Sequence, residues 1–117
     1  MIVAGFGFST RASTESLKDA LMLAHGDQPL DALATLADKA SALGPLAAAM
    51  GVAVIGITGA LPETPTQSAQ SLKTRGTGSV AEACALAAAG SGAYLRRTRV
   101  TSRDRLATCA IAQGETE

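Results

Sequence analysis

Residues 80–87 read Val-Ala-Glu-Ala-Cys-Ala-Leu-Ala, a helix with apolar or small residues on every side. A helix without a polar face has to be buried. Its small side chains favour lying close against a sheet, and Gly90 is placed to end it. The one carboxylate in the run, Glu82, therefore needs a reason. Ser79-Val80-Ala81-Glu82 matches the S-x-x-E capping box, in which Ser79 accepts from the Glu82 N–H and the Glu82 carboxylate reaches back to the Ser79 N–H. From spacing alone this structural role outweighs a catalytic one. A functional role rests on the residues before the cap. Gly76, Thr77 and Gly78 let backbone N–H groups approach a ligand, and the helix start adds partial positive charge, a combination able to hold a carboxylate or phosphate. The stretch lacks the GxxxxGK[ST] form of a nucleotide P-loop, which argues against ATP chemistry.

The rest of the chain supplies the sheet. Ile2–Phe8 reads as a first strand buried on both faces, running into a glycine-containing turn. Ser13 is a good N-cap, Glu15 suits a first helical turn, Leu17, Ala20, Leu21 and Ala24 share one face, and Gly26 is a natural stop. These signals predict a helix over 14–25. Residues 29–51 are ambiguous. Leu30, Leu33, Ala34 and Ala37 fit a helical stripe, and propensity slightly favours one long helix. The rival is a strand over 32–36, a loop through Lys39, and a helix from near Pro45 to Gly51. Val52–Thr58 is the clearest strand: β-branched, continuous and uncharged. A loop with Pro62 and Pro65 follows, then a short helix over 67–73 capped by Thr66. Residues 93–100 and 106–112 predict an antiparallel hairpin turning at 101–105, and the terminal GETE reads as a frayed tail.

Strands alternating with helices predict a single α/β domain over residues 1–117: a three-layer α/β/α sandwich, its mostly parallel sheet of about five strands closed by the C-terminal hairpin. The 117 residues suffice for a core without staples. Net charge is zero and aromatic content 3%, so neither a bulk polyanion nor base stacking is implied, and no nucleic-acid partner is expected. Cys84 and Cys109 lack metal-type spacing and read as buried thiols of a reducing compartment. No stretch is long enough for a membrane span. MIVAGFGF has no basic n-region and is too short for a signal segment, so a cytoplasmic location is expected.

GTGSVAEACALAAAG resembles the "G-x-x-S-V-A-E-A-x-A-L" block of the CobE/CbiG C-terminal family of cobalamin-biosynthesis proteins. Other blocks fall in the right order. VAGFGFSTRAS resembles that family's glycine-rich first turn, LATLADKAS its A-T-x-x-x-K block with the lysine at Lys39, TPTQSAQSL the loop before the SVAEA helix with Ser68 at the family serine, and TCAIA its closing strand. The likeness spans nearly the whole chain. It departs at Gln67, where the family often has proline, and at Phe8-Ser9, where it has a Cys-Arg-like pair. The extra N-terminal regions of the CbiG hydrolase, which opens the δ-lactone of a cobalt-precorrin and releases acetaldehyde, have no counterpart. The resemblance implies a stand-alone member of the aerobic cobalamin (vitamin B12) route, binding a precorrin or corrinoid, with no cofactor of its own. A hydrolase acting on a precorrin lactone or acetyl fragment is the alternative. Other enzymes of the pathway are candidate partners. It also implies strand, loop, then helix for residues 32–50.

In an open parallel sheet, ligands bind beyond the carboxyl ends of the strands. The expected ligand-binding set is Gly7, Ser9, Thr10, Arg11, Lys39, Ser68, Gly76, Thr77, Gly78, Ser79 and Glu82, with Glu82 and Lys39 the candidates for acid/base work. A corrin precursor fringed with carboxylates suits backbone N–H groups, a lysine and an arginine. Each residue has a plainer role available: Lys39 and Arg11 as solvated surface, Ser9, Thr10 and Ser68 as turn or cap residues. The arginines at 96, 97, 99, 103 and 105 read as an outward-facing run that discourages edge pairing, with carboxylate binding as the sharper alternative. The sole histidine, His25, is given no catalytic role, and no metal site is expected.

Overall fold

The computed structural model describes residues 1–58, 79–90 and 92–114. Among these, five strands make one sheet: β1 (Ile2–Phe8), β2 (Ala32–Leu36), β3 (Ala53–Ile57), β4 (Tyr94–Thr101) and β5 (Ala107–Gln113). Their order is β3-β2-β1-β5-β4. β1, β2 and β3 pair in parallel, and β5 is antiparallel to both β1 and β4. Four strands therefore run one way, with the reversed β5 set between two of them. The helices are α1 (Thr14–His25), α2 (Gly44–Met50) and α3 (Val80–Ala89), with a 3-10 helix over Ala37–Leu43.

α1 has the bounds that its caps predict. Ser13 accepts from the Ser16 N–H, the Ser16 hydroxyl answers from the other side, and Gly26 closes the helix at φ 68°. The strand–helix ambiguity resolves as strand. All five residues of β2 are buried, and that burial overrides the helical propensity of Ala and Leu. The long-helix alternative is thereby overturned. The expected loop through Lys39 is instead the 3-10 helix, which runs into α2; α2 carries proline in its first turn and ends at left-handed Gly51.

Alternate residues of β1 face opposite layers. Ala4 and Phe6 join Leu17, Ala20 and Leu21 of α1 and Leu46 of α2; Val3 joins Ala34, Leu36 and Cys84 of α3. Each fully buried leucine or phenylalanine adds roughly 2 kcal/mol by leaving water. The strand over 2–8 forms as expected, but the glycine-rich turn that the resemblance implies begins later: Gly5 and Gly7 lie within the strand, both pair with β5, and the loop begins at Ser9. A Cβ at Gly5 would stand 2.2 Å from the Ala81 carbonyl oxygen and 2.8 Å from the Ala85 Cβ. The small residues of α3 and the glycines of β1 thus answer each other, bringing helix and strand into contact.

The hairpin forms as expected, and β4 is an edge strand. Its register slips between Leu95 and Arg97 and again between Arg97 and Val100. Such irregularity, with exposed Arg96 and Arg97, suits an edge that must not recruit another strand. β3, the clearest strand in the sequence, ends the sheet on the other side. No helix among the described residues is long and apolar enough to cross a membrane.

Candidate functional site

The carboxyl end of β1 is the meeting point. Beyond it the chain turns through residues 9–13 into α1. The Ser9 hydroxyl accepts the Arg11 N–H at 3.1 Å, and the Ala12 N–H reaches the Ser9 carbonyl at 3.1 Å. This compact turn leaves Ser9, Thr10 and Arg11 exposed. The start of α1 sits at the same rim by connectivity.

Lys39 comes to this rim from the 3-10 helix after β2. Its ammonium donates to the Phe8 carbonyl and lies 5.0 Å from the centre of the Phe8 ring. A half-buried lysine held by a carbonyl and a π-face is a positioned charge. α3 arrives from the other direction. Val80 lies 3.4 Å from where a Gly7 Cβ would stand, and Ala85 packs on Gly5 further back. α3 therefore runs antiparallel to β1 and points its positive end at the rim. Lys39 and the start of α3 flank the last two residues of one strand.

Glu82 is fully buried. The Ser79 hydroxyl accepts the Glu82 N–H at 3.3 Å, so half of the expected capping box forms as expected. The carboxylate Oε2, expected to turn back to the Ser79 N–H, accepts the backbone N–H of Arg99 in β4 at 2.8 Å. That donor lies in the segment where the β4–β5 register slips. Glu82 thus ties the buried helix to an irregular edge strand.

The hairpin turn closes the rim on the β5 side. The Ser9 N–H donates to the Leu106 carbonyl at 3.0 Å. Asp104 accepts from the Ser102 hydroxyl at 2.5 Å, the Ser16 hydroxyl at 2.5 Å and the Leu106 N–H at 3.0 Å. These bonds, Ser102 first and Ser16 next, hold its carboxyl below the usual aspartate range. Arg103 meets Asp19 of α1 through its backbone N–H at 2.8 Å and its side chain at 3.7 Å. Sequence reading missed this network. No local pattern couples Ser16 to a residue 88 positions away.

Of the expected site, Ser9, Thr10, Arg11, Lys39, Ser79 and Glu82 gather at one end of the sheet. Gly7 is at the same end, but the sheet and helix use it: its carbonyl accepts the Thr108 hydroxyl at 3.2 Å. Ser68, Gly76, Thr77 and Gly78 lie outside the described residues, as do the predicted helix over 67–73, the loop beginning at 59 and the tail at 115–117. His25 ends α1, roughly 17 Å along the helix from the rim, and its Nε2 lies 3.1 Å from the Pro29 carbonyl. It cannot serve as base to a nucleophile at the rim. Cys84 and Cys109 are buried thiols, and burial pushes the Cys109 thiol up, away from reactivity. Among the described residues no group of three or more His, Cys, Asp and Glu could hold a metal ion. The rim offers helix starts, an ammonium and an exposed guanidinium, which suits binding of carboxylates.

Comparison with known proteins agrees with this architecture. Residues 2–112 match the family model described as cobalamin synthesis G C-terminus. The crystal structure of CobE, a protein from the cobalamin (vitamin B12) biosynthetic pathway, superposes with a TM-score of 0.80 at 30% identity, covering 100% of this chain and 92% of that one. The cobalamin biosynthesis protein chiG from Agrobacterium tumefaciens str. C58 superposes at 0.66 with 26% identity, covering 99% and 100%. No curated protein matches the chain by sequence.

Proposed function

From the premise that the chain belongs to the cobalamin synthesis G C-terminal family, and is a cobalamin biosynthesis protein of the CobE/CbiG type, we propose that it binds a precorrin or corrinoid intermediate of the aerobic route at the rim beyond β1. The observation that carries the reading is the joint placement of Lys39 and the start of α3 at the last two residues of β1. A precorrin is a flat macrocycle fringed with carboxylates. Lys39, Arg11 and the backbone N–H groups of two helix starts present donors and positive charge to such a fringe. Ser9 and Thr10 add hydroxyls, and Ser79 orders the helix end through its cap. Ser68, Gly76, Thr77 and Gly78 belong to the same proposed ligand-binding set.

Binding is favoured over catalysis by what the rim is made of. Glu82 is engaged with the Arg99 backbone, Lys39 with Phe8, and the one histidine is at the far end of α1. The protein holds its ligand for transfer to another enzyme of the pathway, in a cytoplasm that keeps Cys84 and Cys109 reduced.

The test mixes purified protein with a series of pathway intermediates and follows absorbance and product mass. A stable spectral shift with unchanged mass supports binding. New mass at catalytic stoichiometry would replace this reading with a hydrolase acting on a precorrin lactone or acetyl fragment. No binding of any intermediate refutes both.

A further inference from the structure

We propose that Arg105 is a carboxylate-binding residue of the rim, acting on the β5 side of β1 while Lys39 acts on the β2 side; this rests on the reading of the rim as a corrinoid site. The hairpin turn carries three consecutive charges, Arg103, Asp104 and Arg105, and the structure treats them differently. Arg103 is committed to Asp19 of α1. Asp104 spends its carboxylate on Ser102, Ser16 and the Leu106 N–H. Arg105 is exposed, and its guanidinium makes no ion pair among the described residues, although an ionised aspartate precedes it in the chain.

Its backbone is the second observation. Arg105 is the one residue other than glycine with positive φ among the described residues, at 64°. A side chain is disfavoured there, and glycine or asparagine would suit the turn better. The turn is not loose: the Arg105 N–H donates to the Ser102 carbonyl at 2.9 Å, and the Asp104 bonds pin it to α1. An arginine is thus kept, against backbone preference, on a fixed turn.

The place of that turn supplies the ligand chemistry. Leu106, the next residue, receives the Ser9 N–H, so Arg105 adjoins the loop that carries Ser9, Thr10 and Arg11. β2 and β5 flank β1 on opposite sides. Lys39 holds its ammonium at the Phe8 carbonyl, and Ala107, two residues after Arg105, pairs with Phe8, so the two residues bracket the end of β1. A macrocycle with carboxylates spread round its edge can engage both through separate carboxylates.

The experiment measures binding of cobyrinic acid, a corrinoid with free carboxylates, and of its heptamethyl ester, the same ring with none. Arg105→Gly removes the guanidinium while suiting the positive φ, so its melting temperature should equal or exceed that of wild type. Its affinity for the acid should fall by about tenfold, as for loss of one charge-assisted hydrogen bond. Arg105→Lys should recover part of the loss, Arg96→Ala should bind like wild type, and the ester should bind weakly to every form. Unchanged affinity of Arg105→Gly, where wild type binds the acid, overturns the role of Arg105 and leaves the corrinoid site intact. An equal loss in Arg96→Ala overturns it in favour of general charge. Equal binding of acid and ester overturns carboxylate recognition. Failure of wild type to bind either removes the site and the proposal together.

Discussion

The Glu82 carboxylate accepts the backbone N–H of Arg99 at 2.8 Å, joining a fully buried helical residue to an edge strand 17 positions later in the chain. Where β4 slips register against β5, an amide can lose its ladder partner. A buried donor without an acceptor costs about 1–3 kcal/mol. Glu82 supplies the acceptor. Glu82→Gln keeps a carbonyl oxygen at that reach and should lower stability by about 1 kcal/mol, with corrinoid binding retained. Glu82→Ala should cost roughly 3 kcal/mol. Denaturant unfolding, with binding measured in parallel, checks both. Loss of binding by a folded Glu82→Gln protein would return Glu82 to the site.

The contact of Gly5 with α3 makes a sharper prediction. Gly5→Ala places a methyl against the Ala81 carbonyl and Ala85, both parts of a helix that cannot shift cheaply, and should cost about 3 kcal/mol. Gly44→Ala is the milder comparison: an added Cβ there meets nothing within 4 Å outside its chain neighbours, but Pro45 follows and disfavours a helical backbone at a residue that bears a Cβ. It should cost about 1 kcal/mol. Both variants should melt below wild type, Gly5→Ala much the further.

Lys39→Ala should leave the fold standing and weaken binding of a carboxylated corrinoid by about tenfold, the value of one charged contact. Titration of the variant by absorbance tests it. A variant that unfolds would show that the contacts with Phe8 serve structure.

Asp104 gives a pH dependence whose sign is fixed. Its carboxyl is held below the usual range, so the folded state binds this proton less readily than the unfolded state. The stabilisation is present above the ordinary aspartate value of about 3.9 and is lost as pH falls from there through the lower folded value. Asp104→Asn should melt below wild type at pH 7, and the gap should narrow below about pH 4. A gap that stays constant down to pH 2 would contradict it.

How far the sequence speaks for itself varies with the distance over which each signal acts. α1 is readable because Ser13, Glu15 and Gly26 mark its ends within the helix itself. β2 is not, because Ala and Leu suit a helix and only burial on both faces makes Ala32–Leu36 a strand; the family resemblance, not the pattern, resolves it. Gly5 and Gly7 interrupt an otherwise apolar strand without a local reason until α3 is seen to need their missing side chains. The site divides in the same way. Lys39 and Ser79 are found through motifs, whereas the Arg99 partner of Glu82 and the clasp between Asp104 and Ser16 join residues too far apart for any spacing rule.

β5 lies between β1 and β4, and its register matches Ile2 with Gln113 and Phe8 with Ala107. The earliest and latest of the described strands are therefore direct neighbours. On the ribosome, β1, β2 and β3 must wait with one flank open until the codons for 107–113 have been read. Pairing over so long a loop makes for slow closure, and the unfinished sheet needs shielding from its own kind until that last strand slides home.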